Sequence, residues 1–339
     1  MTTRTLLNTL YVQTQGGYLR LDHDTVVLDV EHATAAQIPL HHLSGIAVFG
    51  NVLVSPYLLA RCSRDGRSFS WFSQSGRFNG RLSGPVSGNV FLRKAQFESA
   101  SDLEQSTALA RSFVEGKTRA AISVLGRGFR DYADPALDQA RQQIRQLNSH
   151  VSRQLEIDGI RGTEGQAARI YFAALPKLLR TADFCFLGRN RRPPRDPVNA
   201  VLSFGYALLA QDCVSALEGV GLDPQVGFLH ALRPGRPALA LDLMEEFRAG
   251  LIDRLSLTLL NRQQLKPDDF DHRPGGAVLL NDNGRKTFLG AYERRKQEEI
   301  GHPLFKEPVP VGLLFHIQGR ILARQIRGDI GSYAPYRWR

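Results

Sequence analysis

The sequence predicts an α+β protein, with a small β-rich N-terminal domain joined by a short linker to a larger all-α domain. Up to residue 85, short apolar or β-branched runs alternate with Gly, Asn and Asp, which is typical of strands. A stretch rich in Gly, Pro and Ser follows at 80–89, and apolar residues then recur with helical spacing. We therefore assign 1–85 to a sandwich-like, mostly antiparallel β domain, 86–100 to the linker and the start of the first long helix, and 101–339 to the helical domain.

Within the first domain the apolar runs at 18–21, 25–30, 45–49 and 68–73 predict strands, and the helical spacing at 56–65 predicts one short helix. Three long helices are expected to begin after a capping aspartate, at Asp102, Asp134 and Asp196. They are expected to end near residue 125, near residue 160 and at Gly219 or Gly221. A hairpin is predicted at 279–288, where apolar residues flank an Asn-Gly pair at 283–284.

Composition excludes several protein classes. The chain has 339 residues, of which 42% are hydrophobic, so it can bury a core and is not mainly disordered. No apolar run approaches the roughly 18 residues that span a bilayer, so we expect no membrane partner. Three cysteines without metal-knuckle spacing exclude a disulfide scaffold and a zinc finger, and fit a reducing cytoplasm.

The charge balance points to an acidic partner. Lys and Arg number 43 against 33 Asp and Glu, for a net charge of +10, and only seven of the 43 are Lys. Because the guanidinium group binds phosphate in a bidentate fork, this bias favours a nucleic-acid partner. The alternative is a GC-rich genome that favours arginine codons.

Glu164 is the first candidate functional residue. The positions i+3, i+4, i+7, i+8 and i+11 after it are all apolar: Ala167, Ala168, Tyr171, Phe172 and Leu175. On a helix they form one stripe that includes Glu164. A carboxylate on a buried stripe is costly unless it is paired or bound to a metal ion. The alternative is that Glu164 lies in a first helical turn, where its charge offsets the helix dipole.

Asp242 and Glu245 repeat this pattern, since their i, i+3 spacing puts them on one helical face that continues with apolar residues. Such neighbouring carboxylates are stable when a cation or an arginine lies between them. The alternative is a purely structural role, in which these carboxylates form ion pairs with Arg248 or Arg254.

His230 ends an apolar run and precedes a turn that contains Pro and Gly. Alone, such a histidine is more often an ordinary polar residue than a ligand. If the three segments converge, however, Glu164, His230, Asp242 and Glu245 form an oxygen-rich set with one imidazole. This set suits Mn²⁺ or Mg²⁺ better than structural zinc, and such an ion in a basic protein points to phosphodiester chemistry.

Basic and aromatic clusters are candidate DNA contacts. The candidate DNA-binding residues are Arg189, Arg191, Arg192, Arg195 and Arg248. The alternative for the 189–195 cluster is a solvated loop. The C-terminal stretch 333–339 mixes aromatic residues with arginine, and either stacks on bases or docks on its own domain. The sequence contains no P-loop, dinucleotide-binding, zinc-protease or serine-elbow motif.

Several motifs taken together resemble one family. The stretch 160–172 (IRGTEGQAARIYF) resembles the Glu motif of CRISPR-associated protein one, the universal CRISPR adaptation integrase, and 192–206 (RPPRDPVNAVLSFGY) resembles its helix of the form PPxDPxNAxLSFGY. The stretches 223–230 (DPQVGFLH) and 238–248 (ALALDLMEEFR) are similar to its His and acidic motifs. The resemblance runs nearly end to end, and its details are most similar to the type I, subtype C branch.

The resemblance implies a β-rich N-terminal domain, a helical catalytic domain and a homodimer, and the cysteine content gives the expected cytoplasmic location. It implies catalytic roles for Glu164, His230, Asp242 and Glu245, with metal ligation by Glu164, His230 and Glu245 and with Asp242 lining the site. Some relatives carry Asp where this chain has Glu245, and Glu245 ranks above Asp242 as a direct ligand. The implied cofactor is Mg²⁺ or Mn²⁺, and the implied partners are double-stranded DNA and CRISPR-associated protein two.

The expected activity is metal-dependent endonuclease and integrase chemistry that joins protospacer 3′-hydroxyl ends to phosphodiesters at the CRISPR repeat. Two alternatives stay open from the sequence. One is a free-standing, structure-selective nuclease of DNA repair, which needs the same ions. The other is a DNA-binding scaffold without enzymatic activity, whose carboxylates only form ion pairs with arginine.

Overall fold

The computed structural model of the protein describes residues 8–84, 90–305 and 307–338. Internal contacts divide the chain into two compact units. The first comprises the described part of Met1–Ser87 with Leu280–Glu298 and Pro310–Leu313, and the second comprises the described parts of Gly88–Leu279, Glu299–Val309 and Leu314–Arg339. A β-rich N-terminal region followed by a largely helical remainder confirms the predicted α+β class.

The described part of the first 84 residues contains eight strands in two four-stranded sheets. The strands are β1 (Asn8–Val12), β2 (Gly17–Asp22), β3 (Thr25–Val30), β4 (Ala33–Pro39), β5 (Leu43–Phe49), β6 (Val52–Val54), β7 (Ser68–Phe72) and β8 (Phe78–Arg81). The sheet orders are β1-β5-β7-β8 and β4-β3-β2-β6. Each predicted strand is present, and β8 includes residues 80–81 of the stretch at 80–89 that is rich in Gly, Pro and Ser. Residues 85–89 of that stretch lie outside the described residues.

The expectation of a mostly antiparallel domain is wrong. Strands β1 and β5, β5 and β7, and β2 and β6 pair in parallel, whereas β2 and β3, β3 and β4, and β7 and β8 pair antiparallel. The chain passes from β5 through β6 and helix α1 (Pro56–Arg64) before β7, and this crossover brings β5 and β7 side by side in parallel. Strand character in the sequence does not reveal which strands become neighbours.

Both sheets contribute to one hydrophobic core, as a sandwich-like arrangement requires. Leu19 and Val26 from one sheet pack in the same cluster as Ile46 and Phe69 from the other, with Leu58 of α1, and all five are at most 1% exposed. Burying each such side chain contributes about 1.5–3 kcal/mol relative to leaving it exposed.

The rest of the described chain is mainly helical. The further helices are α2 (Val90–Ser101), α3 (Leu103–Tyr132), α4 (Pro135–Val151), α5 (Ile157–Ala174), α6 (Pro197–Val220), α7 (Ala238–Phe247), α8 (Arg254–Asn261), α9 (Asp282–Gln297) and α10 (Leu314–Ile326). A π-helical segment, Arg248–Asp253, joins α7 to α8. The short strands are β9 (Phe270–His272), β10 (Val278–Leu280), β11 (Glu299–Ile300) and β12 (Val309–Pro310).

The three predicted capping residues are confirmed, because Asp102, Asp134 and Asp196 each accept a backbone N–H at the start of a helix. Helix α3 runs past residue 125 to Tyr132. Gly128 continues the helix there, and a Cβ at this position would lie 2.2 Å from Leu178 Cδ2. The glycine therefore permits close packing, although the sequence suggests a helix end.

The second predicted helix is two helices. Helix α4 ends at Val151 and α5 begins at Ile157, and the residues between them include neither Gly nor Pro. The third prediction is confirmed, since α6 ends before Gly221, which adopts the left-handed conformation with φ +96°.

The predicted hairpin at 279–288 is wrong. Strand β10 pairs with β9, and the chain then enters helix α9, whose cap Asn281 accepts the backbone N–H of Gly284 at 3.0 Å. The Asn-Gly pair therefore lies in a first helical turn. Helix α9 belongs to the β-rich unit, although the sequence assigned it to the helical domain, because Glu293 accepts the hydroxyl of Tyr11 at 2.8 Å.

Helix α6 corrects the expectation that no apolar stretch is long enough to span a bilayer. It is 24 residues long with a mean hydropathy of 1.4 over an 18-residue window, so by length and composition it is apolar enough to cross a membrane. Buried residues make up 61% of that window. The helix packs on α7 and α10 in the helical unit, and this packing accounts for its apolar composition.

The segment that resembles the family helix begins α6 and anchors the loop before it. Asp196 accepts the backbone N–H of Asn199 at 2.8 Å, the side-chain amide of Asn199 at 2.6 Å and that of Asn190 at 3.2 Å. Pro197 occupies the first helical turn, where a missing N–H costs nothing. The motif thus caps a core helix and holds the loop at 188–190.

We expect Asp196→Ala to lower the free energy of unfolding by about 1–2 kcal/mol, because it removes the helix cap and the carboxylate that accepts hydrogen bonds from Asn190 and Asn199. Urea unfolding followed by circular dichroism measures this. The control is Asp131→Ala, which changes an exposed aspartate whose carboxylate lies 3.9 Å from Arg127, and which we expect to stay within about 0.5 kcal/mol of the wild type. Equal losses for both variants would contradict the capping role.

Candidate metal centre

Asp242, on helix α7, holds the loop that carries His230. Its Oδ2 accepts the backbone N–H of Phe228 at 2.7 Å and of Leu229 at 3.0 Å, and its Oδ1 accepts that of His230 at 2.9 Å. The same Oδ1 lies 2.6 Å from His230 Nδ1. The carboxylate is fully buried, and these bonds offset the cost of burying its charge. Both of its oxygens are engaged by residues 228–230.

This contact determines which nitrogen of His230 is available. A carboxylate beside Nδ1 favours a proton on that nitrogen, which leaves the lone pair on Nε2. Nε2 lies 3.9 Å from Oε1 of Glu245, on the same helical face as Asp242. Asp242 and Glu245, which the sequence places on one face of α7, therefore have different contacts with His230: Asp242 orients its ring, and Glu245 lies beside Nε2.

Lys117, on helix α3, links Glu245 to Glu164. Its Nζ lies 2.9 Å from Glu245 Oε2 and also donates to Glu164 Oε1. Arg248 makes the other ion pair of Glu245, with Nη1 3.0 Å from Oε1. The side chain of Glu245 is 1% exposed, against 15% for Lys117 and 26% for Glu164. Carboxylates from α5 and α7 thus meet at one ammonium group.

Glu164 lies in the middle of helix α5, which begins seven residues earlier at Ile157. A first-turn interaction with the helix dipole therefore does not explain it. Ala167, Tyr171 and Leu175 of its predicted stripe are buried, so Glu164 does border an apolar face.

The electrostatics of Glu245 reflect its neighbours. Burial raises the pKa of this carboxyl, but the positive charges of Arg248 and Lys117 outweigh burial and lower the pKa to about 2. Glu245 is therefore a carboxylate at neutral pH. Of the two arginines proposed from the sequence as its partner, Arg248 makes the ion pair.

These donors fit Mg²⁺ or Mn²⁺ in chemical type, because carboxylate oxygens with one imidazole nitrogen suit such hard ions. Among the residues that the structure describes, no three His, Cys, Asp or Glu side chains are grouped closely enough to hold a metal ion. The ammonium group of Lys117 lies between the carboxylates of Glu164 and Glu245 instead.

Tyr206 supports Arg248 from α6. The guanidinium of Arg248 lies 5.2 Å from the centre of the Tyr206 ring, and that of Arg189 lies 5.4 Å from it. The Tyr206 hydroxyl donates to Asp253 at 2.6 Å. Burial raises the pKa of Asp253 to about 6, against the lowering effect of this hydrogen bond.

The arginines of the 189–195 cluster differ in their surroundings. Arg189 donates to Asn199 at 2.6 Å and to the Ser203 hydroxyl at 3.1 Å, so its guanidinium is engaged within the helical unit. Arg191, Arg192 and Arg195 are exposed. The structure thus separates one internally bonded arginine from three that face outward.

Arg236 adds positive charge that the sequence did not single out. Burial lowers its pKa, and so do the charges of Arg233, Arg191 and Arg161, while Asp242 raises it. Arg161 also donates to the backbone oxygen of Leu229 at 2.7 Å, next to His230. The loop that carries His230 therefore lies in a positive electrostatic environment.

The C-terminal stretch packs behind helix α7. Tyr333 through its hydroxyl, Tyr336 through its backbone N–H and Gln318 through its side-chain amide all donate to the Glu246 carboxyl. The indole of Trp338 donates to the backbone oxygen of Glu246 at 2.7 Å. Of the two interpretations from sequence, docking on its own domain is what the structure shows for residues 333–338.

Lys117 is the site residue that sequence reasoning missed. The signal was present, because Phe113, Val114 and Ala121 surround it at i−4, i−3 and i+4 and all are buried. A lysine on an apolar helical stripe is the cationic counterpart of Glu164.

The fold combines a β-rich unit with a helical unit, and the helical unit brings the carboxylates of Glu164 and Glu245 to one ammonium group and places His230 beside Glu245. A family model described as "CRISPR associated protein Cas1" matches residues 10–294. The chain is 52% identical to "CRISPR-associated endonuclease Cas1 1" of Moorella thermoacetica, over 98% of this chain and 99% of the relative. It is 45% identical to the protein of the same name in Chlorobaculum tepidum, over 98% and 99%. The chain belongs to the Cas1 family.

Solved structures show the same fold. A Cas1 protein from Thermotoga maritima has a TM-score of 0.83 at 24% identity, over 95% of this chain and 97% of that one. A casposase bound to an integration product has a TM-score of 0.85 at 20% identity, over 97% and 93%. A chain of a Cas6-RT-Cas1–Cas2 complex has a TM-score of 0.83 at 22% identity, over 98% of this chain and 36% of that one.

Glu246 generates a prediction about pH and stability. Burial raises its pKa to about 8 in the folded protein, although its hydrogen bonds act to lower it, whereas the unfolded chain titrates near 4.5. Between these values the folded state holds the extra proton, so stability falls as pH rises. We expect Glu246→Gln, which cannot ionise, to remove a slope of about 1.4 kcal/mol per pH unit in this range.

Urea unfolding at several pH values between 5 and 8 measures the difference between the two proteins. The control is Glu98→Gln, at an exposed glutamate 3.7 Å from Lys94, which should keep the wild-type slope. Parallel curves for the wild type and Glu246→Gln would contradict the buried, protonated carboxyl.

Proposed function

We propose that this Cas1-family chain is a metal-dependent DNA endonuclease and integrase of CRISPR adaptation. It joins protospacer 3′-hydroxyl ends to phosphodiesters at the CRISPR repeat. The single observation that carries the proposal is the approach of Glu164, His230 and Glu245 from three separate segments, with Asp242 turning His230 Nε2 toward Glu245.

Glu164, Glu245 and Nε2 of His230 are the groups that would hold the ion. Asp242 is the positioning residue, since its oxygens already accept hydrogen bonds from residues 228–230. When bound, Mg²⁺ or Mn²⁺ polarises a phosphate and stabilises a leaving oxygen. Arg248 lies against Glu245 and adds fixed positive charge beside that position.

The proposed reaction is a transesterification. The 3′-hydroxyl oxygen of the incoming DNA forms a bond to a phosphorus atom at the edge of the repeat. The bond from this phosphorus to the 3′-oxygen of the repeat strand breaks, and the hydroxyl proton passes through solvent to the leaving oxygen. One phosphodiester replaces another, so the step needs no external energy source. Water in place of the hydroxyl gives cleavage, and reversal gives disintegration.

The proposed DNA contacts are the exposed Arg191, Arg192 and Arg195. Their charge beside that of Arg233 and Arg236 supports binding of a phosphate backbone, and such binding weakens as salt rises. Arg189 and Arg248 have partners inside the helical unit, and we propose that they position this surface through Tyr206.

We propose Cas2 as the complex partner, which is supported by the similarity in fold to a chain of a Cas6-RT-Cas1–Cas2 complex. Double-stranded DNA as substrate is supported by the fold similarity to the casposase bound to an integration product. The homodimer, the cytoplasmic location and membership of the type I, subtype C branch stay predictions.

We expect His230→Ala to reduce strand transfer and cleavage by about 100-fold or more, because it removes the nitrogen ligand while leaving Asp242 in place. The assay follows transfer of a 3′-hydroxyl DNA duplex into repeat DNA with Mn²⁺, Mg²⁺ or EDTA, with and without Cas2. DNA binding, measured by electrophoretic mobility shift, should persist. Glu164→Ala should reduce strand transfer and cleavage in the same way. Its DNA binding should be unchanged or tighter, since it removes a negative charge near a phosphate.

The control is His150→Ala, which changes an exposed histidine on α4 and should retain wild-type activity. Cleavage without joined product, even with Cas2 present, would favour the repair nuclease. Absence of product with every metal would favour the scaffold, and full integration by His230→Ala would overturn the proposed site.

A further inference from the structure

The ammonium group of Lys117 lies between two carboxylates of the proposed site. Nζ of Lys117 lies 2.9 Å from Oε2 of Glu245 and donates to Oε1 of Glu164 at the same time. With this ammonium group in place, no three metal-binding side chains of the described residues are grouped closely enough to hold an ion. Two of the three proposed ligands, Glu164 and Glu245, therefore lie beside a cation that the chain supplies itself.

Electrostatics explains why the ammonium group lies there. Glu245 is almost completely buried, and a buried charge is costly unless it is paired. Arg248 pairs with Oε1 of Glu245, and Lys117 pairs with the other oxygen and also with Glu164. Without Lys117, the carboxylates of α5 and α7 would face each other without the charge that holds them together.

A divalent ion and this ammonium group require the same oxygens. Binding the ion to Glu164 and Glu245 therefore requires Lys117 to release at least one of them. A small cavity borders Lys117, and the cavity wall includes Tyr206 and Asp253.

We propose that Lys117 is an internal counter-ion that competes with the divalent metal for Glu164 and Glu245, and so sets the metal affinity of the site. The proposal rests on the proposed metal centre. Lys117 holds the carboxylates together in the metal-free protein and is displaced when the metal binds. A site of this kind is stable without metal, and its affinity is lower than its donors alone would provide.

The test compares Mn²⁺ affinity, measured by the EPR signal of free Mn²⁺, among the wild type, Lys117→Met, Lys94→Met and His230→Ala. We expect Lys117→Met to bind Mn²⁺ about tenfold more tightly, because no charge-assisted hydrogen bond has to be broken. Lys94→Met removes a lysine that pairs with Glu98 at 3.7 Å on α2, and it should keep the wild-type affinity. His230→Ala should bind more weakly.

A second readout is thermal unfolding without substrate. In EDTA, Lys117→Met should unfold at a lower temperature than the wild type, and Mn²⁺ should raise its unfolding temperature by more than it raises that of the wild type. If Lys117→Met does not fold in EDTA, Lys117→Gln carries the same comparison, since its amide still donates to one carboxylate.

Unchanged or weaker Mn²⁺ binding by the Lys117 variants, with His230→Ala weaker than the wild type, would overturn the competition and leave the metal centre standing. Equal binding by the wild type and His230→Ala would overturn the metal centre itself, and the competition with it. Tighter binding by Lys94→Met as well would also overturn the proposal, because loss of any positive charge would then suffice.

Discussion

The burial of three carboxyl groups on one short helix is the constraint around which the helical unit is arranged. Asp242, Glu245 and Glu246 of α7 are each at most 1% exposed, and a buried carboxylate without partners costs several kcal/mol. Backbone N–H groups donate to Asp242, which also contacts His230, and the positive side chains of Lys117 and Arg248 form ion pairs with Glu245. The C-terminal stretch satisfies Glu246, which burial also favours in its protonated form.

Each of these solutions holds a different part of the unit against α7. Asp242 fixes the loop at 228–230, Glu245 fixes the facing residue of α3, and Glu246 fixes residues 333–338. Gly250 takes part in this packing, because a Cβ there would lie 2.3 Å from the Trp338 ring. Neighbouring residues of α7 therefore differ in their contacts, since Asp242 and Glu246 hold other segments of the unit and Glu245 is a candidate metal ligand.

Local rules predicted the starts of elements better than their ends and their neighbours. A capping aspartate accepts a backbone N–H only two or three residues later, so its effect is local. The predicted starts of α3, α4 and α6 were therefore correct. Helix α3 continues through Gly128, where a Cβ would lie 2.2 Å from Leu178 Cδ2, and the Asn-Gly pair lies in the first turn of α9. Such outcomes are decided by contacts that are distant in sequence.

The sequence by itself determined the α+β class, the family resemblance and the helical faces that carry Glu164, Asp242 and Glu245, because periodicity and motifs are local properties. Only the tertiary structure decided that Asp242 orients His230 while Glu245 lies beside its free nitrogen, since the i, i+3 spacing treats the two alike. Only it brought Lys117 between the carboxylates, 47 residues from Glu164. The charge of a buried group is balanced by whatever lies near it in space, and spacing along the chain does not contain that information.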